Sequence, residues 1–588
     1  MRPLHRRRAQ RAYSRHDKEQ FMPGDIFIHG NPYIDILYKF PCPQRILMVA
    51  DSSLDFGTAG FGLSEFVQVV RNAGHTVTTA HRSGSGPGLS IAGSYDFATA
   101  ATAVTVANYD QIWLFAFSTS ALQPAEQQRI AQFMRDGGGM FATGDHDTIG
   151  AGMGANLPRI RSMRDWASIP MATVDRHDTV LEPGADGIKQ FNDQADAIPQ
   201  RMFPVFFSNG GDPFVASTWA VHPVLRHSSG AVDYLPDHPH ESRCLAPTPV
   251  AGNFAGIEEW PAPSGGGARI APVVVAVSMS AGRFIVSGAP TSSGTKPPVY
   301  PRSFGAISAY DGDPAGAGRI VCDATWHHFV NINLNGSGAG NDPTTGLPRT
   351  GLYAGGMPTP EYQKIRSYYL NTVRWLAPIG RRYCWPFLTA AAIRYDYEIA
   401  ELRLPLPHPC PWDPLLKLGR VVEEVLLARM GPGALADLVD GMLATAGRGS
   451  GLAELLDSAR VRGEAKEGGA PSLLPLQDLR RAVAGTLVNL LAAKLPEDEQ
   501  KLASLMRDHD GLAIDAIAES LQAAEGVIVE YVGKALEASA AQLQSLRAQS
   551  VKAGKPVSRP TRSGAKPGKA LKQAKSAKPA AKAGKTSR

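Results

Sequence analysis

The residues best equipped for chemistry stand where apolar runs end. In GGGMFATGDHDTIGAGMG, the apolar segment Met140–Thr143 gives way through Gly144 to Asp145, His146 and Asp147, with glycines beyond. A carboxylate, an imidazole and a second carboxylate in succession supply metal ligands, or a histidine base oriented by an acid. The structural alternative is a turn whose aspartates cap a helix or accept from loop amides. A second apolar run, RIVCDAT (Arg319–Thr325), leads to Trp326, His327 and His328. Two strand ends that each carry an imidazole can converge on one substrate. Asp145, His146 and His327 are thus the expected ligands of a divalent metal, if one is bound, and Asp145, His146, Asp147, His327 and His328 are the candidate catalytic set.

Other histidines lie in DRHD (175–178), AVHP (220–223) and DHPHE (237–241), and eight of the fifteen histidines fall between His146 and His328. None has the HExxH spacing of a helical zinc site, so any metal centre must be assembled from separate loops. Nucleophiles are scarce. There is no GxSxG elbow, and Cys322 lies inside an apolar run, where burial would leave its thiol inert. The turn DFGTAGFG has Gly57, Gly60 and Gly62 in GxxGxG order, not the GxGxxG of dinucleotide sites, and no Walker Lys-Ser/Thr follows. No nucleotide cofactor is expected. Its amides can hold an anion at a helix start, or the glycines can simply permit a tight strand-to-helix turn.

The elements that must position these residues read as a doubly wound α/β unit over residues 45–380. RILMVA (Arg45–Ala50) is a continuous apolar run, as expected of a strand buried on both faces. LSEFVQVVRNAG follows at helical spacing and stops at Gly74, then HTVTTAH supplies a second strand. DQIWLFAF, a helix opening at Pro124, and MFAT continue the alternation, which implies a parallel sheet with crossover helices. Later strands are expected at PVFFS (204–208), APVVVAVSM (271–279), RFIVSGA (283–289) and RIVCDAT, and a helix from Pro360 closes the unit. Residues 145–272, rich in Gly, Pro and Asp, form an insertion too long for an idle connection and are expected to build a site or a lid.

A Pro-rich linker is expected over 381–412 and a small all-α domain over 413–547, where four segments carry an apolar stripe near the 3.6 period. Residues 1–44 form a basic extension, and 548–588 a Lys/Ala/Pro-rich tail with too little to bury, expected to be disordered. The net charge of +6 hides this division: residues 1–18 carry +6 and 551–588 carry +12, leaving −12 for the rest. The tail is expected to meet a polyanion such as nucleic acid, without sequence specificity, since no aromatic residue is interleaved for stacking. The helices offer a route to a homo-oligomer.

Five cysteines, Cys42, Cys244, Cys322, Cys384 and Cys410, with no CxxC pair, argue against a disulfide-dense secreted scaffold and a zinc ribbon. No stretch approaches the roughly 18 apolar residues of a membrane span, and the basic start is not followed by an apolar run. The expectation is a cytoplasmic protein without a membrane partner.

Taken together, the GGG before the central strand, His222–Pro223 in the insertion, GRIVCDATWHH and the closing NTVRWLA resemble the class I glutamine-amidotransferase-like superfamily, nearest its trehalose-utilisation (ThuA-like) branch. The resemblance covers about residues 45–380. It implies a flavodoxin-like sheet, a site at the C-terminal strand ends, His222 as a ligand-binding residue and a link to carbohydrate chemistry. It also implies that glutaminase activity is absent, because the elbow cysteine is replaced by the Gly144–Asp145–His146 region. The function expected is a metal- or acid/base-dependent hydrolase or lyase acting on a small polar, carbohydrate-like substrate. The alternative is a non-catalytic scaffold that binds a ligand or partner, oligomerises through its helices and holds polyanions with its tail.

Overall fold

The structure is a computed structural model that describes residues 42–145, 148–166, 199–208, 219–236, 242–280, 302–341, 346–382, 384–402, 404–407, 410–446, 451–464, 474–496 and 510–553. His146, Asp147, the DRHD and DHPHE clusters, the expected strand at 283–289, and nearly all of both basic termini lie outside these residues.

The chain builds an eight-stranded, mostly parallel sheet. Its strands are β1 (Arg45–Ala50), β2 (Thr76–His81), β3 (Gln111–Phe115), β4 (Gly139–Thr143), β5 (Phe203–Pro204), β6 (Val273–Ser280), β7 (Arg302–Tyr310) and β8 (Ile320–Asp323). They lie in the order β2-β1-β3-β4-β8-β7-β6-β5. The first five are mutually parallel, and β7, β6 and β5 extend the sheet by antiparallel pairing. The apolar run of β1 shows why the sheet is buried on both sides. Ile46, Met48 and Ala50 enter one core, while Leu47 and Val49 enter the other.

Helices cover both faces. On the first lie α1 (Ser64–Asn72) and α3 (Pro360–Leu376), whose Phe66, Tyr369 and Leu376 pack on Trp113, Phe115 and Phe141. On the second lies α2 (Pro124–Arg135), burying Ile130, Phe133 and Met134 against Leu114 and Met140. Pro124 starts α2 as its fixed φ allows, and Glu126 reaches back to accept from the Gln123 amide at 2.9 Å. The same carboxylate takes Arg82 and the Phe97 amide, so one buried acid ties α2 to the end of β2.

Within the stretch read as a linker, Cys384–Arg394 forms a helix (α4) and Tyr397–Ala400 a further turn. CWPFLTAAAIR is apolar enough to be buried almost throughout, despite the prolines around it. The four expected helices follow as α5 (Trp412–Met430), α6 (Ala434–Ala446), α8 (Leu476–Lys494) and α9 (Asp510–Ala553), and a fifth that was not expected, α7 (Gly451–Glu464), lies between α6 and α8. Gly419 of α5 and Gly485 of α8 let these two helices cross closely, since a Cβ on Gly419 would stand 2.1 Å from the Arg481 carbonyl oxygen. The sheet and the helices up to Tyr531 form one compact unit, and residues from Val532 belong to a second. No helix among the described residues is long and apolar enough to cross a membrane.

Cys42, just before β1, and Cys384, at the start of α4, are joined by a disulfide with Cα atoms 5.7 Å apart. A sparse cysteine count thus conceals one long-range bridge, of the kind that persists in oxidising surroundings.

Candidate active site at the strand ends

The C-terminal ends of β4 and β8 bring Asp145 and His327 together. Their parallel pairing sets Thr143 beside Asp323, and the chain then leaves each strand on the same edge of the sheet. Both side chains are buried, Asp145 at 1% and His327 at 2% exposure. His327 Nε2 lies 3.7 Å from Asp145 Oδ2. The Thr325 hydroxyl donates to Asp145 Oδ1 at 3.0 Å and accepts from the His327 amide at 3.1 Å, so one side chain sets the position of both partners.

On the far side of the ring, His327 Nδ1 meets Asn333 Oδ1 at 3.0 Å. A carboxamide oxygen only accepts, so in this arrangement Nδ1 carries a proton, and Nε2 is the nitrogen that faces Asp145. The ring is stacked on Trp326, 4.0 Å between centroids, and Trp326 stacks in turn on Phe117. Phe61, from the Gly-rich turn, sets its edge toward both Trp326 and His327 and is 41% exposed. The pair therefore sits under an aromatic wall.

Beneath it runs Arg164, which is wholly buried. Its guanidinium donates to the carbonyl oxygens of Asp145 at 2.7 Å, Ala324 at 2.8 Å and Asp323 at 3.0 Å. Burial lowers its pKa from the ordinary arginine value, and the nearby Asp145 and Asp323 charges oppose that shift. Arg164 thus pins the two strand ends together and places positive charge below the carboxylates.

His328 points elsewhere. Its Nδ1 is 2.6 Å from Asp323 Oδ1, and the other Asp323 oxygen accepts from the Tyr368 hydroxyl at 2.6 Å. This buried Asp–His–Tyr cluster fastens the loop to α3. The glycines of the first turn also act through backbone geometry. The Gly57 amide donates to Asp55 Oδ1 and the Gly62 amide to the Ala59 carbonyl, so both are used inside the turn. Asn331 then clasps the turn, donating from Nδ2 to the carbonyls of Gly57 and Ala59 and accepting the Glu65 amide on Oδ1. His222 stands away from the strand ends, against Trp375, with burial pressing its pKa down to about 3. Cys322 is buried in β8 and its thiol is pushed up to about 12 by burial.

The crevice where the strand order reverses, between β1 and β3, holds a carboxylate that sequence reading passed over. Asp51 follows β1 directly, and its Oδ1 accepts the amides of Phe117 at 2.6 Å and Ser118 at 3.0 Å. Burial raises its pKa, with those amides and the charges of His81 and Arg82 pulling the other way. Its position was legible: an acid immediately after a buried parallel strand points into the ligand crevice of such folds. Asn333, Thr325 and Arg164 gave no comparable signal, because their roles depend on contacts between distant segments.

No protein-family model matches the chain. A search of curated proteins likewise finds no match. What the site can do follows from its own atoms. His327 Nε2 and the Asp145 carboxylate face one another across 3.7 Å, an imidazole and an acid brought together from two strand ends. Among the described residues no group of three or more His, Cys, Asp and Glu side chains is placed to hold a metal ion. Asp145 and His327 would supply two donors; His146, the third expected ligand, lies outside the described residues.

Proposed function

We propose that this chain is a proton-transfer enzyme, a hydrolase or lyase acting on a small polar substrate at the C-terminal strand ends, with His327 as base and Asp145 as its stabilising carboxylate. The observation that carries the reading is the His327 ring, fixed at Nδ1 by Asn333 and presenting Nε2 to Asp145 from a different strand. Such an oriented imidazole–carboxylate pair is what general acid–base chemistry needs. The resemblance to the ThuA-like branch adds a carbohydrate-like substrate, and the order of the five parallel strands is that of a flavodoxin-like sheet. Both remain parts of the proposal, as do the polyanion-binding tail and a homo-oligomer.

The test is turnover of a panel of nitrophenyl glycosides and small sugar lactones by the full chain beside His327→Gln and Asp145→Asn. The base variant is expected to lose about 10²–10⁴-fold in kcat, with the carboxylate variant intermediate. Activity that survives both substitutions would sink the assignment. The second reading, a binding scaffold, draws on the near-complete burial of both side chains. It predicts that the two variants lose stability and no activity, because there is none to lose.

A further inference from the structure

The last helix, α9, runs for 44 residues from Asp510 to Ala553. Its first half is held by buried Ala516, Ile517, Leu521, Ala524 and Ile528, whereas every residue from Lys534 to Gln549 is exposed. We propose that the second half is a self-association surface, on which α9 of one chain pairs with α9 of a second copy. This rests on the homo-oligomer of the proposed function and names the surface that forms it.

Spacing is the first ground. Val529, Leu536 and Leu543 recur every seven residues, and Val532 and Leu546 stand three residues after the first and the last of them. These are the a and d positions of a heptad, the 3.5-residue period that keeps one narrow seam turned toward a partner helix. Ser539 is the one polar residue of that seam. The first half of α9 differs. Its buried Ala513, Ala516, Ile517, Ser520, Leu521 and Ala524 form the wider stripe of a helix laid on a core.

Exposure is the second. Leu536, Leu543 and Leu546 are 51, 61 and 54% exposed, so the seam is open to water along its length. Helices in water draw most of their stability from packing an apolar face, and a partner along the seam supplies that packing. The chain that follows has little to cover it with, since residues 554–588 hold only Val557 and Leu571 as large apolar side chains.

Charge selects a second copy over a different partner. The e and g positions, which set partner choice through ion pairs, hold Ile528, Gly533, Ala535, Ala540, Gln542 and Arg547. Arg547 is the one charge among them, so identical helices meet without opposed rows of like charge, and a partner chosen by complementary charge finds almost nothing to read. Glu530, Lys534 and Glu537 fall on the outer face, at the b and f positions. Each pair then offers two basic tails to one polyanion, the second engaging at a raised effective concentration.

The experiment is sedimentation equilibrium of the full chain at about 0.5 M salt, which screens the basic tail and spares an apolar seam. Wild type is expected at twice the mass of one chain. Leu536→Glu combined with Leu543→Glu puts carboxylates into the seam while keeping good helix formers, and should weaken association at least about a hundredfold. Ala541→Glu, on the outer face, should leave the pair intact. Both changes fall in the exposed half of the helix, and thermal melting checks that each variant folds. Wild type at the mass of one chain up to about 100 μM would overturn the surface and the homo-oligomer together. A pair that survives the double variant, or that Ala541→Glu disrupts equally, would overturn the surface and leave the oligomer standing. None of these outcomes depends on turnover at His327.

Discussion

At the residue scale, the strand-end groups divide by what their second atom does. Thr325 and Asn333 hold Asp145 and His327 in register, while His328, the neighbour of His327, is spent on Asp323 and α3. Adjacent positions in a short turn face different ways, so WHH contains one candidate base and one anchor. Asp51 gives a prediction with a sign. Its folded pKa is raised, chiefly by burial, so its contribution to stability is complete below the ordinary carboxylate pKa and is lost as pH rises through the folded value. Asp51→Asn keeps an acceptor oxygen for the Phe117 and Ser118 amides and removes the ionisation. The variant is expected to melt above wild type at pH 7, with the difference closing as pH falls toward 4; a difference independent of pH would contradict this. If Asp51 also serves the substrate, the same variant should lose activity while gaining stability, as strained functional groups do.

At the scale of elements, the glycine turn earns its composition by proximity. A Cβ on Gly62 would stand 2.0 Å from the Gly57 carbonyl oxygen, within a turn that Asn331 holds from the opposite side of the site. Gly62→Ala is expected to destabilise the chain by about 1–3 kcal/mol, read as a lower denaturant midpoint with the slope unchanged. A midpoint equal to wild type would show that the turn opens freely. Much of this architecture was legible in the sequence. β1, β4 and β8 stand out as unbroken apolar runs, and α5, α6 and α8 as stripes of period 3.6, because burial leaves a local signature. What escaped has physical reasons. RSFGAISAY, the strand β7, mixes Arg, Ser and Gly with its apolar residues, and only pairing with β6 and β8 makes it a strand. CWPFLTAAAIR lies among prolines that read as a linker, yet it is helical because its apolar residues find a buried place. The site was half legible: Asp145 and His327 follow from strand ends, whereas Arg164 and Asn333 reach it from segments whose sequence says nothing of the destination.

At the scale of the whole molecule, two features give solution tests. With Cys42 and Cys384 bridged and Cys244, Cys322 and Cys410 free, thiol titration in guanidinium should count three groups before reduction and five after. Five at the outset would mean that the bridge does not form. The +12 of residues 551–588 predicts that the full chain binds duplex DNA or heparin with an affinity that falls steeply with salt, on the order of a thousandfold between about 50 and 200 mM. Removal of the residues after Ala553 should abolish that binding, and retention would place the contact elsewhere. The bridge has a further consequence, which is topological. It closes a ring spanning 342 positions that contains the whole sheet and both halves of the strand-end site. A protease that cuts once inside the ring yields two fragments that still travel together, so a nicked molecule keeps its mass and its paired Asp145 and His327 until a reductant separates the pieces.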